Sequence, residues 1–534
     1  MNINMKYSRV ELNDLPDEIL LIIFKKLDNL EILYSFQGVN ERLNNIMHDP
    51  IFTSRLSFPK LSFKKYIKKF SSDIILNRFC SQILPTIRTK ITWLDLESES
   101  MRNILDAADY PNLYALGLYN VEDETAKCLF TDERLSASIF KNQITTLIIS
   151  IDPDKNERST MNNICNHVFT VFINLTHLTF YDAAHQNNAR LSFDVPFPTF
   201  SSSSLLVLKI KVQTFDVSLY ILDGRFEQLH TLDIELASIL SPSEIENQRK
   251  IPNLKYFVLC CMLRTWYYDE LILPLIYRMS NLEELGLSFT TTVKETFIDG
   301  NNLKQNILNH LSQLKHFTFD IRSVMFIKNQ MNLPSKEDIQ ETFIDLQYTK
   351  IISCVDYFRD YRQGLCHIYS YPFLMGRFED ITNNFAGGLY PYVRVVSLYD
   401  EHPFEHEFFI RISQSFPCME KLIINNRYGQ NQKESYKLMN DKSNLSIAKY
   451  YNLIDLHIDR AHDDYIDEFL CNAKTYFQNN ILLDIDYKVL QRVTHDFTRD
   501  DTRINCTKVN ELSLSENVKD SKSVQDYFPF AIID

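Results

Sequence analysis

Residues 205–234 read LLVLKIKVQTFDVSLYILDGRFEQLHTLDI. The stretch opens and closes on one phrase: a leucine, two variable residues, then an apolar-x-apolar core. It runs through Leu205, Leu208 and Ile210, and again through Leu229, Leu232 and Ile234. Alternation over so short a run marks a strand with one face buried. Outward from here the phrase recurs as TWLDL (Leu94, Leu96), LYALGL (Leu113, Leu116, Leu118), ITTLII (Leu147, Ile149) and LTHLTF (Leu175, Leu178, Phe180). Toward the C-terminus it returns as LKYFVL (Leu254, Phe257, Leu259), LEELGL (Leu282, Leu285, Leu287) and LKHFTF (Leu314, Phe317, Phe319). After a gap come VRVVSL (Val393, Val396, Leu398), MEKLII (Met419, Leu422, Ile424), LIDLHI (Leu453, Leu456, Ile458) and VNELSL (Leu512, Leu514).

From Leu116 the anchors advance by 31, 31, 30, 24, 25, 28 and 32 residues, ending at Phe317. A strand and a helix in each unit of that size define a leucine-rich-repeat solenoid, an α/β architecture with parallel strands on a concave face and helices on a convex one. The competing reading is an α/β sheet whose strands are merely leucine-rich. Segments 122–142, 161–171, 268–279, 295–311 and 405–416 fit the helices. Breakers such as Tyr110-Pro111-Asn112 and Ile251-Pro252-Asn253 release the chain into the strands. The repeats are degenerate. The usual Asn or Cys three residues after the second anchor is replaced by Ala183, Ala237, Thr290 and Ala461, so waters or other side chains must satisfy the loop backbone there. Residues 322–390 break the pattern. They hold a helical phrase at 335–346, then IISCVDYF and LCHIYSYPF around RDYRQG, which reads as a hairpin. Segments 425–444 and 495–505 read as surface loops.

The N-terminal stretch 11–52 reads ELNDLPDEILLIIFKKLDNLEILYSFQGVNERLNNIMHDPIF. Asn13 or Asp14 can cap a helix, Pro16 suits its first turn, and Asp17-Glu18 place negative charge at its positive end. Three short helical phrases follow before Asp49-Pro50. They hold too few apolar groups both to fill a core and to hide every stripe, which leaves surface for another chain. The stretch resembles an F-box through Leu15-Pro16, Glu18-Ile19-Leu20, Ile23-Phe24, Leu27, Leu30, Val39, Arg42 and Asp49-Pro50. Asn40 stands where the family commonly has cysteine, and Leu43 where tryptophan is common. The resemblance implies docking on a Skp adaptor, and through it a cullin, by Leu15, Pro16, Ile19, Leu20, Ile23, Phe24, Leu27, Leu30, Val39 and Leu43. It further implies a substrate-recognition subunit of a ubiquitin ligase with no catalytic residue of its own.

Together these readings divide the chain into an F-box (9–53), a helical connector (54–90), a first solenoid part (91–321), an irregular insert or hairpin (322–390) and a second solenoid part (391–534). Composition narrows the functions further. The 534 residues carry 56 Lys+Arg and 69 Asp+Glu, a formal charge of −13 that attracts neither nucleic acid nor an anionic membrane. Ten glycines, and no phosphate-loop or nucleophile-elbow motif, exclude the usual nucleotide enzymes and α/β-hydrolases. Ten cysteines without a C-x-x-C predict no zinc knuckle and no disulfide framework. The opening residues have no apolar run of a signal peptide, and no segment is long enough to span a bilayer, so the cytoplasm or nucleus is expected.

Candidate chemistry is sparse, and no cofactor or metal is expected. His402-Pro403-Phe404-Glu405-His406 matches a zinc-peptidase string, but Pro403 pushes His402 out of the helix that His406 enters. Both are therefore read as solvated turn residues. Asp455, His457 and Asp459 alternate onto one strand face, with Asp463-Asp464 nearby. Lys64-Lys65 and Lys68-Lys69 form a basic cluster read as a solvated face. Strand residues facing away from the anchors are the candidate surface for an unknown protein substrate: Tyr119, Tyr181, Lys209, Lys211, Asp233, Glu235, Tyr399, Asn425, His457 and Asp459. Tyrosines among charges suit protein recognition.

Overall fold

The computed structural model describes residues 12–58, 72–121, 142–151, 158–181, 190–192, 199–240, 249–328, 333–344, 350–431, 446–458, 460–515 and 521–533. The basic cluster at Lys64–Lys69, Asp459 and nearly all of the expected helix 122–142 lie outside them, as does most of the loop 425–444.

Three short helices open the described chain: α1 (Asp17–Phe24), α2 (Asn29–Phe36) and α3 (Glu41–Met47). A 3-10 turn, Leu12–Asp14, precedes them, and Pro16 occupies the N-cap of α1 rather than its first turn. Asp28 caps α2 by accepting the Leu30 N–H at 2.8 Å, and Asn40 caps α3 through the Leu43 N–H at 2.8 Å. Leu20, Phe24, Leu30, Leu33, Leu43, Met47 and Phe52 are buried. The Phe24 ring sits 4.8 Å from Phe36 and 6.4 Å from Phe52.

The chain forms two compact units, Met1–Gly286 with His310–Lys315, and Leu287–Asn309 with His316–Asp534. In the first, eight strands lie in chain order and parallel: β1 (Arg55–Phe58), β2 (Trp93–Glu97), β3 (Ala115–Val121), β4 (Thr146–Ile151), β5 (His177–Tyr181), β6 (Val207–Thr214), β7 (Thr231–Ser238) and β8 (Tyr256–Cys261). The register aligns Leu56, Leu94, Leu116, Leu147, Leu178, Leu208, Leu232 and Phe257 in one buried row. Within this unit the recurring anchors are thus one continuous apolar stripe. β1 falls within the stretch read as a helical connector.

β9 (Glu284–Val293) falls mostly in the second unit, which also holds β10 (His316–Phe326), β11 (Lys350–Phe358) and β12 (Gln363–Tyr371), in the order β9-β10-β12-β11. β11 and β12 are the expected hairpin, antiparallel with Val355 opposite Cys366, and β12 also runs antiparallel to β10. A further sheet takes β13 (Arg377–Ile381), β14 (Val395–Tyr399), β15 (Lys421–Asn425), β17 (Asp455–Ile458), β19 (Ile481–Ile485), β20 (Val509–Leu514) and β21 (Ile532–Ile533), all parallel. A small parallel pair joins β16 (Ala448–Tyr450) to β18 (Thr475–Phe477). Phe378, Val396, Leu422, Leu456, Leu483 and Leu512 form the buried row of this sheet.

The helices differ from expectation where proline intervenes. The segment expected as one helix over 268–279 is a π-turn, Tyr268–Ile272, followed by Leu273–Tyr277 with Pro274 in its first turn. Proline lacks an N–H and crowds the carbonyl four residues back, and a wider turn relieves both. Phe79–Ile83 and Leu84–Ile87 repeat the arrangement around Pro85. The expected helix 295–311 begins only at Gly300, capped by Asp299 on the Asn302 N–H at 2.8 Å. Arg158–Val171 and His406–Ser415 match the reading closely.

The loop backbone is satisfied at the strand entrances. Asn112 Nδ2 donates to the Thr89 carbonyl (2.6 Å), Asn174 to Asn142 (2.9 Å), Asn253 to Glu227 (2.8 Å) and Asn281 to Pro252 (2.9 Å). Asn452 reaches Pro417 (2.8 Å), and Asn479 reaches Tyr451 (3.0 Å). Each ties the turn that enters its own strand to the turn that enters the neighbouring strand. This polar ladder lies one residue before the leading position of the phrase, not after its second anchor. At the entrances, side chains of the chain itself do this work.

Candidate functional site

Two surfaces carry the residues singled out in the sequence. On the N-terminal helices, burial separates the docking set into halves. Leu20, Phe24, Leu30 and Leu43 are at most 4% exposed, so they form the segment's own core and are corrected here from contact residues to packing residues. Ile19, Ile23, Leu27 and Val39 are 39–59% exposed, Pro16 is exposed and Leu15 half-buried. Ile22, which sequence reasoning missed, is 59% exposed. Its signal was available, because Ile19, Ile22 and Ile23 share one outward helical face. Arg42 braces this face from below, donating to Asp17 Oδ1 at 2.7 Å and to the Leu15 carbonyl at 2.5 Å.

The second surface is the strand face opposite the anchors. In the first unit it centres on Asp95, 5% exposed. Arg55 donates to it through Nε (3.0 Å) and Nη2 (2.9 Å), Ser57 Oγ at 2.6 Å, Trp93 Nε1 at 2.8 Å and Tyr119 Oη at 3.3 Å. The Arg55 guanidinium also lies 4.3 Å from the Trp93 ring centre. Gly117 stands opposite Asp95 in register, where a Cβ would collide with that carboxylate and come within 2.9 Å of the Tyr119 ring. Tyr119 is therefore held in this network. Further along, Lys209 pairs with Asp233 in register and Lys211 with Glu235. Arg190 clamps Glu235 at 2.6 Å, with Lys211 at 3.5 Å. Burial raises the Asp233 carboxyl pKa, Lys209 opposes that shift and Glu235 adds to it. Tyr181 ends β5.

In the second unit Tyr399 is half-buried, its ring 5.1 Å from Phe358 and 6.2 Å from Tyr361. Burial pushes its hydroxyl pKa upward. Asn425 stands beside Tyr399 in register. Lys421, Asp455, His457 and Asp484 converge one sheet position on. His457 Nε2 lies 2.7 Å from Asp455 Oδ1 and Nδ1 2.8 Å from Asp484 Oδ2, while Lys421 Nζ reaches Asp455 Oδ2 at 2.8 Å. Burial works to raise the Asp455 pKa, but the hydrogen bonds and charges of His457 and Lys421 outweigh it and lower it. Asp455 and His457 thus share a face as alternation predicted. Lys421 and Asp484 come from neighbouring strands and were invisible to it.

The zinc-peptidase string does not assemble. His402 is exposed and lies outside the helix, whereas His406 starts it and is buried, its Nδ1 2.5 Å from Glu468 Oε1. His406 is therefore corrected from a solvated turn residue to a core residue. Among the described residues no group of three or more His, Cys, Asp or Glu could hold a metal ion. Nor is any described helix long and apolar enough to cross a membrane. No protein-family model matches the chain, and no curated protein matches it.

Proposed function

We propose that this chain is the substrate-recognition subunit of a Skp–cullin–F-box ubiquitin ligase, with an F-box at its N-terminus and degenerate leucine-rich repeats behind it. One observation carries the reading. α1 turns Leu20 and Phe24 into a closed core, yet leaves Ile19, Ile22 and Ile23 in solvent, with Leu27 after α1 and Val39 after α2 also exposed. A contiguous apolar helix face of this kind fits a helical partner. The repeats would hold the protein to be modified on the strand face opposite the anchors. The chain's contribution is proximity, and the ubiquitin chemistry belongs to other subunits.

The test is capture of the purified chain by recombinant Skp adaptor, beside the double variant Ile19→Asp, Ile23→Asp. Both positions are exposed, so the variant folds. Burying each side chain is worth about 1.5–3 kcal/mol, and the variant therefore binds at least about 100-fold more weakly. A folded wild-type chain that leaves the adaptor unbound reduces the protein to a non-catalytic interaction scaffold capped by three helices.

A further inference from the structure

A cavity of about 340 Å³ opens at the carboxyl ends of β17, β19 and β20, lined by Ile458, Arg460, Ala461, Ile466, Asp484, Ile485, Asp486, Val489 and Ser515. The floor is apolar: Ile458, Ile466 and Ile485 are buried, and Val489 and Ala461 half-buried. Its two carboxylates differ. Asp486 is committed on both oxygens, to the Val489 N–H at 3.0 Å and to Ser515 Oγ at 3.2 Å. Among the described residues Asp484 engages only His457 Nδ1, through Oδ2 at 2.8 Å, and its side chain stays 42% exposed. Its other oxygen is an open acceptor on the wall of an apolar slot.

The geometry points to a site for one lysine or arginine side chain of a partner polypeptide. The alkyl stem would lie on Ile458, Ile485 and Val489, and the cation would meet the free oxygen of Asp484. Two carboxylates against the one guanidinium of Arg460 leave the lining net negative, and the chain as a whole carries −13. Both favour a cationic ligand over an anionic one. His457 contributes as a positioning residue. It links Asp484 to the Asp455–Lys421 pair, which holds the carboxylate in place without touching the ligand. The inference rests on reading this unit as a partner-binding surface, and it specifies the chemistry that surface selects.

The test uses the full chain on immobilised nine-residue peptides, serine throughout except at the centre. The central residue is Lys, Arg, Leu or Glu, or the neutral analogues acetyl-lysine and citrulline. Lys and Arg peptides are expected to retain at least ten-fold more chain than the other four. Asp484→Asn, and separately Val489→Arg, which places a cation of the chain's own in the slot, should abolish the difference at an unchanged melting temperature. Equal retention on the leucine or citrulline peptides, or selectivity untouched in both variants, overturns the inference. Adaptor capture on the same samples separates the two readings. Normal capture without peptide selectivity removes the cation site alone. Selectivity without adaptor capture sustains the site and removes the ligase reading.

Discussion

Both ring nitrogens of His406 face acceptors inside the core: Nδ1 meets Glu468 Oε1 at 2.5 Å and Nε2 meets the Ser446 carbonyl at 2.9 Å. Only the imidazolium donates from both positions at once. Burial disfavours that charge, but the Glu468 hydrogen bond and charge, with the Ser446 carbonyl, outweigh it and raise the histidine's pKa. A raised folded-state pKa means that the charged pair stabilises fully below the ordinary value near 6.5. That contribution is lost as pH rises through the higher folded value. The wild type should therefore lose stability above pH 6.5 relative to Glu468→Gln, in chemical denaturation followed from pH 5.5 to 9. At pH 5.5 the variant, which strands a buried cation, should be less stable by about 3–5 kcal/mol. A gap that stays constant with pH would show that His406 is neutral throughout. At this scale the sequence was legible in part. Pro403 correctly separated the two histidines of the string, yet burial of His406 depends on Glu468, sixty-two residues on, and no local pattern reports such a partner.

At the scale of elements the asparagine ladder explains how the parallel strands keep their entry turns. Each Nδ2 satisfies a carbonyl that the parallel strands leave outside their own pairing, and each links the entry turns of neighbouring strands. Asn253→Ala and Asn281→Ala should each cost about 1 kcal/mol, read as a lower urea midpoint at unchanged slope. Alanine at Asn301, an exposed helical position outside the ladder, should leave the midpoint within about 0.5 kcal/mol. The ladder was present in the very phrases that exposed the repeats, as the Asn before Leu113, Leu175, Leu254, Leu282 and Leu453. In sequence these asparagines are indistinguishable from ordinary turn breakers, as at Tyr110-Pro111-Asn112 and Ile251-Pro252-Asn253. Among the described residues six strands lie outside the recurring phrases and the hairpin, β1, β13, β16, β18, β19 and β21, and three of them show why. β1, β13 and β19 carry the strand anchors Leu56, Phe378 and Leu483, but three residues earlier stand Thr53, Met375 and Asn480 instead of leucine. Thr53 and Met375 still pack inward, so the fold asks only for a tolerable fit at this position, as the phrases led by Val393 and Met419 also show.

Across the whole molecule the alternation of strand and helix, the inward anchors and the hairpin at 350–371 all follow from short-range periodicity, which is why they could be read. The boundary between the two compact units at Gly286 could not, because the anchor spacing passes through it without a break, from Phe257 to Leu285 to Phe317. Within the first unit, strand order equals chain order from β1 to β8, so each strand is paired only with its sequence neighbours. If the strands behave as the repeats proposed above, stability is a sum of local terms and nearest-neighbour contacts, and damage spreads outward from where it is made. Leu232 is fully buried and lies in register between Leu208 and Phe257. Leu232→Ala should remove about 2–5 kcal/mol of packing at that point. Hydrogen exchange should then quicken at β6, β7 and β8, fade through β5, and leave β2 and β3 at wild-type rates. Uniform quickening from β1 to β8 would mean that the eight strands open as one body. The recurring phrase would then mark a common core, not a chain of separable repeats.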